Sequence, residues 1–79
     1  MTALLVVCHL LPAHAQIDPT RVMTIGQNAI LFKDYVLAIQ YFNTAIRVDS
    51  TSARPYYWRA GAKYSLGDVR GAEQDASVS

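Results

Sequence analysis

Residues 26–49 read GQNAILFKDYVLAIQYFNTAIRVD. Apolar and small residues recur here at three- and four-residue steps on both sides of Lys33-Asp34, which is the mark of amphipathic helix. Upstream, Asp18-Pro19 reads as an N-cap followed by proline at the first helical position. The first helix carries a stripe of Val22, Ile25, Ala29 and Phe32, flanked by Met23 and Ile30. Asp34 caps a second helix bearing Tyr35, Ala38, Ile39, Phe42, Ala45 and Ile46, which ends near Asp49.

Downstream the pattern recurs. Ser50-Thr51-Ser52 is a turn cluster, and Ser52 is expected to cap a third helix with Pro55 in its first turn. Tyr57, Trp58, Ala60, Gly61, Tyr64 and Leu66 carry that helix forward. Gly67-Asp68 is a stop followed by a cap, and Val69, Ala72 and Ala76 belong to a fourth helix. A shift of 34 residues superposes the two units: Asp34 falls on Asp68, Ala38 on Ala72 and Gln40 on Gln74. Gly26 then matches Ala60, Phe32 matches Leu66, Ile30 matches Tyr64 and Tyr35 matches Val69.

Two helices per unit at that period resemble the tetratricopeptide repeat (TPR). The resemblance rests on Gly26, Asp34-Tyr35 and the Ala38–Phe42–Ala45 series, and on WRAGAKYSLGD at residues 58–68. It covers about residues 19–79. It implies an all-α fold, an antiparallel helix-turn-helix solenoid of about one and a half to two repeats. Repeat 1 spans 19–52, and a truncated repeat 2 spans 53–79. Gly26, Ala38, Phe42, Ala45, Ala60 and Ala72 are the expected packing positions between helices. Two features depart from the family: Asp49 is followed by Ser50 rather than proline, and Ala76 stands where an aromatic is expected. At least three repeats usually make a stable stack, so the fold is expected to be marginal alone, with the last helix fraying most.

The first fifteen residues, MTALLVVCHLLPAHA, are a different object. They hold no Asp, Glu, Lys or Arg, and eleven are apolar. An apolar run over 3–11, a break at Pro12 and the small-x-small triplet Ala13-His14-Ala15 have the layout of a secretory signal peptide. Cleavage after Ala15 would leave Gln16 at the N-terminus, and 16–18 as a short lead. The basic start of such signals is missing from Met1-Thr2. The alternatives are an uncleaved anchor, for which the run is half the ~20 residues a span needs, and a buried N-terminal helix. The signal and the repeats together resemble signal-bearing TPR proteins of Gram-negative bacteria, which implies the periplasm or outer envelope.

Composition narrows the function. The 79 residues carry a net charge of +1, with seven Lys and Arg against six Asp and Glu. That balance lacks the basic footprint of a nucleic-acid binder. Arg47, Arg54, Arg59, Lys63 and Arg70 interleave with Tyr56, Tyr57, Trp58 and Tyr64, but the aromatics follow helical spacing and read mostly as packing. The single Cys and both His lie in the leader, so a mature chain has none, and no metal or cofactor is expected. Asp18, Asp34, Asp49 and Asp68 have capping or turn roles. Glu73 and Asp75 are two apart and do not share a helix face. No catalytic pair emerges, and the chain is expected not to be an enzyme.

Binding is the remaining class. TPR units line a concave groove with their first helices. The resemblance places Met23, Gln27 and Ile30, then Tyr57, Gly61 and Tyr64, along that groove. A protein or peptide partner is implied, with self-association through exposed repeat ends as a further option. The Lys and Asn of carboxylate-clamp TPRs are replaced by Met23 and Gln27. A purely structural array, or an anchored assembly or sensor component, are the alternatives. The competing role for each groove residue is burial against a neighbouring repeat.

Overall fold

In the computed structural model, residues 17–78 are described, and all regular structure among them is α-helical. Four helices follow in order: α1 (Pro19–Leu31), α2 (Tyr35–Val48), α3 (Arg54–Ser65) and α4 (Val69–Val78). The leader expected at 1–15, the cleavage residues expected at Ala13, Ala15 and Gln16, and Ser79 lie outside the described residues. Each helix packs on the next, while α1 touches α3 lightly. The result is two helical hairpins, side by side, compatible with a helical repeat.

The helix ends explain themselves from local chemistry. The first amides of a helix have no partner within it. Asp18 Oδ1 accepts from the Thr20 amide at 3.0 Å, and Pro19 contributes no amide to satisfy. Asp34 Oδ1 accepts from the Leu37 amide at 3.3 Å, and Asp68 Oδ1 from the Gly71 amide at 2.9 Å. The third start differs from expectation. Its N-cap is Ala53, with no side-chain bond, and Ser52 does not cap it. Pro55 sits in the first turn and is buried, so packing rather than capping fixes this entry. At the end of α2, Asp49 Oδ1 accepts from the Thr51 amide at 3.0 Å and from its hydroxyl. Those bonds hold the Asp49 carboxyl below its ordinary pKa, hydroxyl first.

The two hairpins turn by the same device. In the first, the Lys33 amide donates to Ile30 O at 2.8 Å and the Asp34 amide to Ala29 O at 2.8 Å. In the second, the Gly67 amide donates to Tyr64 O and the Asp68 amide to Lys63 O, both at 2.9 Å. Both are Schellman closures, which place the residue after the cap in the left-handed region. Gly67 has φ 87° and Lys33 φ 60°. A residue with a Cβ pays about 1–2 kcal/mol there, and glycine returns roughly 0.4–1 of that through its freer unfolded chain. Lys33→Gly is therefore expected to stabilise the fold by about 0.5–1 kcal/mol. A higher urea midpoint checks this, and an unchanged or lower one contradicts it.

The core sits in the first hairpin and its seam with α3. Met23, Ala29, Ala38, Phe42, Ala45 and Ala62 form one buried cluster, with Val22, Ile30, Tyr35, Ile39 and Trp58 packed against it. Phe42 is fully buried, and a Cβ built on Gly26 would lie 2.5 Å from its Cε1. The glycine is what lets α1 lie against that ring. It also sets the rotation of α1, whose buried residues are Met23, Gly26 and Ala29. The expected stripe through Val22, Ile25, Ala29 and Phe32 is corrected accordingly: Ile25 is 37 % exposed and Phe32 84 %. Of the expected packing positions, Gly26, Ala38, Phe42, Ala45, Ala60 and Ala72 are all buried.

Candidate functional site

Tyr57, Gly61 and Tyr64 recur on α3 at four- and three-residue steps and so share one face. That face is open. Tyr57 is 63 % exposed, Tyr64 67 %, and a Cβ at Gly61 would meet nothing within 4 Å. With Ile30 from the end of α1, and Val69 and Ala76 from α4, they line a largely apolar groove of about 560 Å³. Tyr57 is held edge-on to Trp58, ring centroids 5.9 Å apart at 89°, and Trp58 in turn packs on the core. The tyrosine is thus exposed but anchored.

The six residues expected along a groove separate. Ile30, Tyr57, Gly61 and Tyr64 come together there. Met23 does not: it is buried in the core and borders a separate recess of about 120 Å³ with Pro19, Ala45 and Pro55. Gln27 is half-buried and lines neither. The reason is what packs over each position. Met23 precedes Tyr57 by 34 residues, and α3 packs over the first hairpin while nothing among the described residues covers the second in the same way.

Behind the groove lies a polar cluster that periodicity does not reveal. Asp75 is 4 % exposed. Arg59 donates to both of its oxygens, Nε to Oδ2 and Nη2 to Oδ1, each at 2.7 Å. Lys63 Nζ lies 3.0 Å from Oδ2. Arg59 Nη1 also donates to Asn43 Oδ1 at 2.6 Å, and its guanidinium lies 5.3 Å from the Tyr56 ring centroid. One arginine therefore ties α2, α3 and α4 together. Burial alone would raise the Asp75 pKa, but the hydrogen bonds and charges of Arg59 and Lys63 outweigh it and hold the carboxyl below its usual range. The Asp75 hydrogen bond raises Arg59 further, against the opposing effect of burial.

In sequence Asp75 is distinguished only by lying two residues from Glu73, on another helix face. The available signal was Arg59 and Lys63, four apart on one helix face, and both sixteen and twelve residues from an acid on the returning helix. Both Asp75 oxygens are occupied by cations, which is the geometry of a clamp. Among the described residues no three His, Cys, Asp or Glu gather as a metal site. No helix among them is long and apolar enough to cross a membrane. No protein-family model matches the chain, and no solved structure matches it.

Proposed function

We propose that this chain is an exported, non-catalytic TPR protein that binds a protein partner through the groove of α3 and α4, in the bacterial periplasm or outer envelope. The observation that carries the reading is the open tyrosine face. Tyrosines are enriched where proteins bind one another, because a large rigid ring contributes contact area at low entropic cost. Two of them stand exposed over an apolar hollow, one braced from behind by Trp58. Support for the TPR reading comes from the repeated Schellman turns and the buried small residues at register positions. Support for export comes from the leader sequence alone.

The exposed Val69 in the groove and Leu66 near it favour a second reading, in which the hairpins are a structural unit of a longer array. Substitution separates the two. Tyr57→Ala with Tyr64→Ala is expected to leave the helical circular dichroism and melting temperature near wild type. Capture of a partner from an envelope extract should fall about tenfold or more, the usual effect of truncating interface hot spots. Loss of the fold in the double variant would make these tyrosines core residues and overturn the groove reading.

A further inference from the structure

The groove contains a hollow whose origin is a single substitution between the two hairpins. At a shift of 34 residues, Gly26 corresponds to Ala60 and Phe42 to Ala76. In the first hairpin the Phe42 ring fills the space beside Gly26. In the second, Ala76 is too short to fill it, and the space opens between Ala60, Gly61, Ala72 and Ala76, with Glu73 exposed at its edge. An aromatic ring is the group this architecture places there when the residue is present.

The same chain offers such a ring without a place to bury it. Phe32 is 84 % exposed and Leu31 77 %, the two most exposed large apolar side chains among the described residues. They sit on the α1–α2 turn, whose left-handed residue is Lys33. The knob therefore carries a cation next to it, and the hollow carries an acid at its rim. Ile30, two residues before Phe32, borders the groove, so the turn that carries the knob begins at the groove's rim.

We propose that the partner of this groove is a second copy of the chain, whose Phe32 ring enters the hollow at Ala76 while its Lys33 meets Glu73. The inference rests on reading the groove as a protein-binding surface, and names its occupant. In the closed form of this exchange a two-fold axis pairs the copies, each giving one ring and receiving one, whereas head-to-tail contact would leave a free knob and hollow and grow further. Apolar burial supplies the attraction, and the Lys33–Glu73 pairing sets the register.

Sedimentation equilibrium of the full 79-residue chain over rising concentration tests this. The expected result is a mass that rises from monomer to dimer. Phe32→Ser removes the knob at an exposed position and should weaken the dimer about tenfold or more. Ala76→Phe fills the hollow from within; it should abolish the dimer while raising the melting temperature. Glu73→Lys and Lys33→Glu should each weaken association by setting like charges together, and the two combined should restore it. A monomer at every concentration overturns the proposal. So does association that persists in Phe32→Ser and Ala76→Phe, which would place the contact elsewhere in the chain. A monomer whose tyrosine face still captures another protein would sink this inference and leave the groove reading standing. A monomer that captures nothing would sink both.

Discussion

Phe42→Ala is expected to unfold about half of the chain or more at room temperature. Phe42 is the one large side chain among the described residues that is fully out of solvent, and it touches the positions that define the first hairpin. Truncating a buried phenylalanine costs about 3–5 kcal/mol, through lost transfer energy and an unfilled cavity. A core this small rarely supplies more than ~3–5 kcal/mol in total. The two quantities are equal within their spread, which leaves a net stability near zero and about half of the chain or less folded. Relaxation is restricted, because the opposing wall is the Gly26 backbone, which has no side chain to move in. Far-UV circular dichroism and a urea titration provide the readout. Phe32→Ala is the control: its ring is 84 % exposed, and in the dilute monomer its loss should move stability by no more than about 0.5 kcal/mol. Equal effects at the two positions would contradict the assignment of the core.

Asp75→Ala is expected to cost about 3 kcal/mol, at the lower end of what removing one partner of a buried pair does. The loss is larger than that of a surface ion pair because two cations share this carboxylate. Arg59 and Lys63 side chains are 18 % and 21 % exposed, so without Asp75 they face each other with little solvent between them. Asn43 would keep its bond to Arg59 but could not neutralise it. The effect has a pH signature. Asp75 is held below its ordinary value of 3.8 in the folded chain. Its stabilisation is therefore full above that ordinary value and is lost as pH falls through the folded one. Wild type and Asp75→Ala should differ most at neutral pH and converge in acid, in parallel urea titrations. A difference that stays constant down to strong acid would show that the carboxylate charge is not what stabilises the seam.

Local signals made most of the architecture legible. Asp18-Pro19, Asp34 and Gly67-Asp68 mark helix ends in the text because capping and left-handed turns depend on residues two or three apart. The α2 stripe of Ala38, Phe42 and Ala45 was equally readable, since small and aromatic residues alternate on one face. The phase of α1 was not. Its buried centre is a glycine, which adds nothing to an apolar count, so Ile25 and Phe32 drew the stripe toward solvent. Ser52 looked like a cap by residue type, yet buried Pro55 positions that helix start instead.

The site was half legible for a related reason. Tyr57, Gly61 and Tyr64 lie on one helix, and helical spacing alone groups them. Met23 occupies the matching register position one unit earlier, but whether a register position is open or buried depends on what stacks over it. The Arg59–Asp75 clamp needs the relative rotation of α3 and α4, sixteen residues apart across a turn. Nothing in the spacing of a single helix carries that information.

The aromatic side chains divide into a buried Phe42 at the core and an open face of Tyr57 and Tyr64 on α3. Paramagnetic relaxation of the aromatic protons by a soluble, uncharged gadolinium chelate tests this division most directly. Strong relaxation of the Tyr57 and Tyr64 ring protons is expected at dilution, with Phe42 protected throughout. Protection of both tyrosines to the level of Phe42 in the dilute monomer would contradict it.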